Sequence, residues 1–228
     1  MRSGLEAVAG PAQPIMMAMA DRKGMRGSFH TVAPLILASS SPRRQRFLQE
    51  LGLDFTVRPA DVEEQHRPGE EPETFVLRLA ADKARAVADR NPQACILAAD
   101  TIVVLEQAIL GKPRDAAHAE AMLAGLSGRW HEVWTGYCLC RSRDGVSVQR
   151  AVRTRVLFRP LTAALCRAYV LTGEPLDKAG AYGLQGRGAF LVERIDGSHS
   201  NVIGLPMAEV IEDLLRLGII TPHDGHQY

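Results

Sequence analysis

No apolar stretch of this chain approaches the ~20 residues that a helix needs to cross a bilayer, so no membrane-spanning helix is expected. Charge of one sign is missing as well: 27 basic residues against 26 acidic ones leave a formal net charge of +1. Without a broad positive field, a nucleic-acid partner is not expected. The four cysteines, Cys95, Cys138, Cys140 and Cys166, include no C-x-x-C pair, and no His pair stands beside them at zinc-site spacing. A disulfide scaffold or structural zinc is therefore not the organising device, and the thiols read as buried side chains in a reducing compartment. The phosphate-loop pattern G-x-x-x-x-G-K-S/T is absent too, which speaks against a kinase or GTPase of that class.

Lysine is the scarcest charge: of 27 basic residues only four are lysine, namely Lys23, Lys83, Lys112 and Lys178. On a solvated surface the two cations are interchangeable, but in a tight site a compact ammonium on a flexible stem reaches a phosphate or carboxylate as a point charge. Lys83, Lys112 and Lys178 all fall within motifs described below, so they are treated as chemical parts.

What is present suffices for a core: 228 residues with 46% hydrophobic composition fit one domain or one two-lobed domain. Residues 1–33 are rich in Gly, Ala, Met and Pro without periodicity and read as a disordered N-terminal extension. The apolar run at residues 14–20 has the A-x-A ending of an export signal, but it is short and opens on proline. A translation start at Met25 is the preferred reading. Residues 34–220 form the domain, in which short apolar strands alternate from Leu35 with amphipathic helices, the pattern of an α/β fold, and residues 221–228 form a tail. Strands are expected at 35–38, 55–58, 95–105, 108–110, 131–140, 146–158 and 190–195. Helices are expected at 42–51, 72–90, 115–126, 162–171 and 206–217.

Chemistry-bearing residues cluster at the junctions. Ser39-Ser40-Ser41-Pro42-Arg43-Arg44 stands where a strand turns into a helix, with Ser41 as N-cap and Pro42 at the first helical position. Amides, hydroxyls and guanidinium groups gather there as donors for phosphate oxygens, although serine and proline also serve as a plain cap. On the 72–90 helix, Phe75, Val76, Leu79, Ala80, Ala86 and Val87 share one arc, and Lys83 lies inside it. A lysine there must be paired, either in a buried bridge or at an internal cleft. Asp100 ends the apolar run 95–99, ahead of Thr101, as a candidate base or metal ligand, or else a turn cap. Glu63 and Glu64, in the polar loop at 59–71, are the further acidic candidates for a hard cation. Gly111-Lys112-Pro113 and Asp177-Lys178-Ala179-Gly180 lead to a glycine-spaced loop in which Tyr182 could stack on a base and Gln185 hydrogen-bond to it.

The stretches LILASSSPRRQRFLQELGLDF, RLAADKARA, AADTIVVL, GKPRDAAHAEAMLAGLSG and EPLDKAGAYGLQGRGAFLVERIDGSHSNVIGLP resemble the Maf family of nucleotide pyrophosphatases, from Leu35 to about Leu217. That resemblance implies an elongated mixed β-sheet flanked by helices, similar to that of inosine-triphosphate pyrophosphatases, with two lobes and a central cleft. It also implies a cytoplasmic homodimer that requires a divalent metal, Mg²⁺ or Mn²⁺, and acts on a nucleoside triphosphate. The family motifs map onto Arg43 with Arg44 beside it, Lys83, Asp100 and Lys112, and the combination Arg43, Thr101 and Gln185 looks like the branch acting on dTTP and UTP. In this reading Asp100 activates water, with Glu64 and Glu63 as its partners on the metal. Arg43, Lys83 and Lys112 neutralise phosphate charge, while Ser39, Ser41, Arg44, Thr101, Lys178, Tyr182 and Gln185 bind and select the nucleotide. The product would be a monophosphate plus pyrophosphate, removing non-canonical nucleotides. The alternatives are a nucleotide-binding regulator of cell division without turnover, and a phosphatase removing one phosphate at a time.

Overall fold

The computed structural model describes residues 27–224. Nine strands run in chain order as β1 (Phe29–Thr31), β2 (Leu35–Leu37), β3 (Thr56–Val57), β4 (Cys95–Leu105), β5 (Ala108–Leu110), β6 (Trp130–Arg141), β7 (Val146–Phe158), β8 (Val192–Asp196) and β9 (Ile220–Pro222). The α-helices are α1 (Pro42–Glu50), α2 (Pro72–Ala88), α3 (Ala116–Leu126), α4 (Ala163–Val170), α5 (His199–Ile203) and α6 (Met207–Arg216). Seven strands form one mixed sheet in the order β3-β2-β4-β6-β7-β8, with β5 folded back onto β4. β2 runs parallel to β3 and β4, and the remaining pairs are antiparallel.

β4 is apolar and buried along nearly its whole length because helices cover both faces. On one face α2 spans the sheet, packing Ala80, Ala84 and Val87 on Ile96 and Ala98, and Phe75, Val76 and Leu79 on Ile102 and Val104. A glycine sets how close α2 can come. A Cβ on Gly136, the β6 partner of Asp100, would lie 2.5 Å from the Val76 carbonyl carbon and oxygen, so a side chain there would push the helix away.

The opposite face is divided between two cores. Leu97 and Ala99 of β4 pack with Leu48 of α1 and Val210 and Leu214 of α6, whereas Val103 packs with α3, α4 and Tyr182. The division falls at Asp100–Thr101, which gives the two lobes and the cleft between them. No helix among the described residues is long and apolar enough to cross a membrane, and all four cysteines are free.

The structure departs from the sequence reading at the domain's ends. Residues 29–31, assigned to the disordered extension, pair antiparallel with Ile220–Pro222, so the extension's boundary and the start of the tail at 221 are both corrected. Burial explains it: Phe29 and Ala33 pack against the first core, and His30 stacks on His223 with ring centroids 4.2 Å apart. Residues 1–26 and 225–228, which hold the rest of the expected extension and tail, lie outside the described residues. On α2 the arc is set slightly differently from the periodicity: Ala84 is buried and Ala86 exposed. The strand expected at 95–105 runs unbroken through Asp100 to Leu105, so of the alternatives for Asp100 the turn cap is ruled out.

Candidate active site

The site forms where the sheet is missing a strand. β2 stops at Leu37, paired with Leu97, and β5 joins the same edge of β4 only from Val103 onward. Between them, Arg44 Nη1 takes the place of a strand by donating to Ala99 O at 2.8 Å. A cavity of ≈ 330 Å³ opens through this gap and reaches both faces of the sheet, at the lower end of the roughly 300–1,000 Å³ usual for small-ligand sites. On the α2 side it meets a second hollow of ≈ 970 Å³, and Glu64, Asp100, Thr101 and Lys112 line both.

Lys83 and Asp100 meet in this gap. Lys83, 8% exposed, donates from Nζ to Asp100 Oδ1 at 2.5 Å and lies 2.6 Å from Glu64 Oε1, while Asp100 is 7% exposed. The apolar arc of α2 thus carries its one ammonium to the open edge of β4, where two carboxylates receive it. Burial would raise the Glu64 carboxyl, but the Lys83 hydrogen bond and the charges of Lys83, Lys112 and Arg44 outweigh it and hold the group below its ordinary value. Lys112 reaches the same cavity exposed and, among the described residues, without an ion-pair partner. Its ammonium is therefore available to a ligand.

The strand-to-helix turn supplies the opposite wall. Ser41 is the N-cap of α1, as its place before Pro42 predicts, but its hydroxyl caps nothing; Ser39 Oγ instead accepts from Ser41 N at 3.2 Å. An uncapped helix start leaves amides and a hydroxyl facing the cavity, which suits an anion. Arg43 reaches across the cleft to within 4.0 Å of Asp177 Oδ2, an exposed pair worth little by itself. Arg44 has a different role from its neighbour. Its guanidinium donates to Gly204 O, Ser39 Oγ, Ala99 O and Thr101 Oγ1, so four of its five N–H bonds are already engaged within the protein. It is a clamp that ties α1, β4 and the end of α5 together. Thr101 continues it: its hydroxyl lies 2.9 Å from that of Thr135, which donates to Asn201 O.

The third wall is the glycine-rich segment. Tyr182 lines the cavity but is poorly placed to stack on a base, because its ring packs edge-on against His131 and Phe158 and its hydroxyl lies 2.8 Å from His131 Nε2. Burial pushes the Tyr182 phenol up and the His131 imidazole down to about 4, so both are neutral there. Lys178 also lines the cavity, yet its Nζ donates to Glu174 O at 2.5 Å and Asp177 Oδ1 at 2.6 Å. Gln185 reaches the cavity with its amide free among the described residues.

The structure therefore gathers Ser39, Ser41, Arg43, Arg44, Glu64, Lys83, Asp100, Thr101, Lys112, Lys178, Tyr182 and Gln185 around one cavity. Glu63 is not among them; it is exposed and outside the lining. Adjacent residues of an extended loop point in different directions, and only Glu64 finds Lys83. The sequence reading missed the Gly204 carbonyl and α5. A signal existed in Ser198-x-x-Asn201 before Gly204, since Ser198 caps α5 by accepting from Asn201 N at 3.2 Å. No group of three or more acidic, His or Cys side chains among the described residues could cage a metal. Asp100 and Glu64 instead offer the one or two carboxylates with which a Mg²⁺-like ion is held when substrate phosphates complete its shell.

The family model described as Maf-like protein matches residues 34–217. The chain is 51% identical over 188 residues to a dTTP/UTP pyrophosphatase of Desulfotalea psychrophila, covering 82% of this chain and 96% of that one. A dTTP/UTP pyrophosphatase of Myxococcus xanthus is 51% identical over 188 residues, with 82% and 94% covered. One of Geobacter sulfurreducens is 51% identical over 187 residues, with 82% and 97% covered. The motifs that line the gap in the sheet thus lie inside a match that takes in both lobes, and the chain belongs to the Maf family.

Proposed function

We propose that this protein hydrolyses dTTP and UTP to the monophosphate and pyrophosphate. The observation that carries the reading is the Lys83–Asp100–Glu64 cluster, which shares one cavity with Arg43, Lys112 and the uncapped start of α1. A triphosphate needs several cations and amide donors on one side, and water attack needs a carboxylate on the other. In this reading Asp100 accepts the proton of a water aimed at the α-phosphorus, in line with the departing pyrophosphate. Lys83 orients that carboxylate and shares in neutralising the phosphate. Lys112 and Arg43, free or weakly paired in the cleft, stabilise charge that builds on the phosphate oxygens. Asp100 and Glu64 would hold Mg²⁺ or Mn²⁺ together with the phosphates, and the ion would supply further charge neutralisation and a more acidic water. Arg44 acts through Thr101, fixing its hydroxyl at the wall of the cavity that Gln185 also lines, and these two residues select the pyrimidine.

Incubating the protein with UTP, dTTP, CTP, GTP and ATP and either metal, then identifying the products, tests the reading. UTP and dTTP are expected to give monophosphate and pyrophosphate with a preference over GTP of at least the factor of about 10–200 that a one-methylene difference in fit supplies. Diphosphate and phosphate, equal rates for GTP and UTP, or no turnover at all would each contradict it.

A further inference from the structure

We propose that Glu174, acting with Tyr169, is a positioning residue for pyrimidine selection: it clamps the 183–188 loop so that Gln185 is presented to the cleft. The inference rests on the function proposed above and adds residues to which that function gave no role.

Between Gly183 and Gly188 the chain forms no strand or α-helix, only the opening of a 3₁₀ turn at Gly186–Leu191, so its shape leans on hydrogen bonds from outside the loop. That support comes from one carboxylate. Glu174 Oε2 accepts from Arg187 N at 3.0 Å, and Oε1 accepts from Gly188 N at 3.1 Å and from the Tyr169 hydroxyl at 2.9 Å. The same hydroxyl accepts from Gly183 N at 3.1 Å. The loop is thereby held at both ends, at Gly183 on one side and at Arg187 and Gly188 on the other, with Gln185 between the two anchors.

Both anchors are rigid. Tyr169 is 2% exposed in the core formed by α3 and α4. Glu174 sits on a turn fixed by Thr172 Oγ1, which accepts from Glu174 N at 3.2 Å, and by Lys178, which donates to Glu174 O. This explains why the Lys178 ammonium, although the residue lines the cavity, is already engaged within the protein. Burial would raise the Glu174 carboxyl, but the Arg187 amide, the Tyr169 hydroxyl, the Gly188 amide and the Lys178 charge hold it below its ordinary value, so the acceptor is charged. The glycines fit the same purpose: a Cβ on Gly188 would lie 2.3 Å from Gly183 O and 2.6 Å from the Tyr169 hydroxyl, and one on Gly186 would lie 3.0 Å from Glu174 Oε2. Only a chain without side chains at those points can close around the carboxylate.

Glu174→Gln replaces an acceptor-only group by one whose amide would face backbone N–H donors, so at least one anchor is lost. Loss of one charge-assisted hydrogen bond predicts a rise of about tenfold in KM for UTP, larger than the fall in kcat, and a similar drop in the UTP-to-GTP ratio of kcat/KM. Tyr169→Phe keeps the buried ring and removes the Gly183 anchor together with one hydrogen bond to Glu174 Oε1, while Glu174 keeps the Arg187 and Gly188 amides, so it shifts the ratio in the same direction by less. In a double-mutant cycle, Glu174→Gln adds nothing to the selectivity lost by Gln185→Ala, because both act through one contact. Wild-type selectivity in both single variants, a loss falling equally on UTP and GTP, or full additivity with Gln185→Ala would overturn the inference. A wild-type protein with no preference for UTP would instead overturn the proposed function, so the two failures are distinguishable.

Discussion

Asp100→Asn is expected to slow pyrophosphate release from UTP by a factor of about 10²–10⁴, the usual contribution of a positioned general base. The substitution keeps the shape of the side chain and an oxygen that can still accept from Lys83 Nζ, while Glu64 continues to face the same ammonium. β4 should therefore fold as before, since Asp100 pairs with Gly136 through backbone groups that the change leaves alone. Initial rates measured beside a thermal melt check this. A melt close to that of the wild type with turnover reduced as stated supports the role of Asp100, and unchanged turnover removes it from the mechanism.

Lys83→Met has the largest expected effect on stability. Methionine fills the apolar arc of α2, but it leaves the Asp100 and Glu64 carboxylates facing one another without the cation that holds them. Removing one partner of a buried pair costs about 3–5 kcal/mol. Glu64 is half exposed and can turn toward water, which places the expected loss at the lower end. For a domain of this size the melting temperature should fall by about 6–12 °C, taking roughly 2–4 °C per kcal/mol. Lys83→Met/Asp100→Asn is expected to recover part of the loss, because the uncompensated buried charge is then gone. A single variant that melts like the wild type would show that the pair contributes nothing.

The parts of this protein that were legible in the sequence are those with a local cause. The hairpin of β4 and β5 follows from an apolar run interrupted only at Asp100–Thr101 and a two-residue turn, and its observed bounds coincide with those read from the pattern. Lys83 stood out because a charge inside an apolar arc needs a partner, and the structure supplies Asp100. What was not legible depends on residues that meet only after folding. β1 and β9 are three residues each, too short to show alternation, and they exist because the two ends of the domain come together. Arg44 shares a motif with Arg43, so both read as phosphate ligands; that Arg44 is occupied by Ala99 O and Thr101, at sequence separations of 55 and 57, has no local signature. Glu63 and Glu64 were equivalent in a loop without period, and only contact with Lys83 separates them. Glu174 opens one of the quoted motifs, yet its role had no local signature, since its partners are two backbone amides and the Tyr169 hydroxyl.

In the proposed reaction the gap in the edge of β4 directs water onto the α-phosphorus of a nucleoside triphosphate. When UTP is hydrolysed to completion in water enriched in heavy oxygen and both products are weighed by mass spectrometry, the label is expected in UMP and none in pyrophosphate. Label in the pyrophosphate would place the attack on the β-phosphorus and rule this direction out.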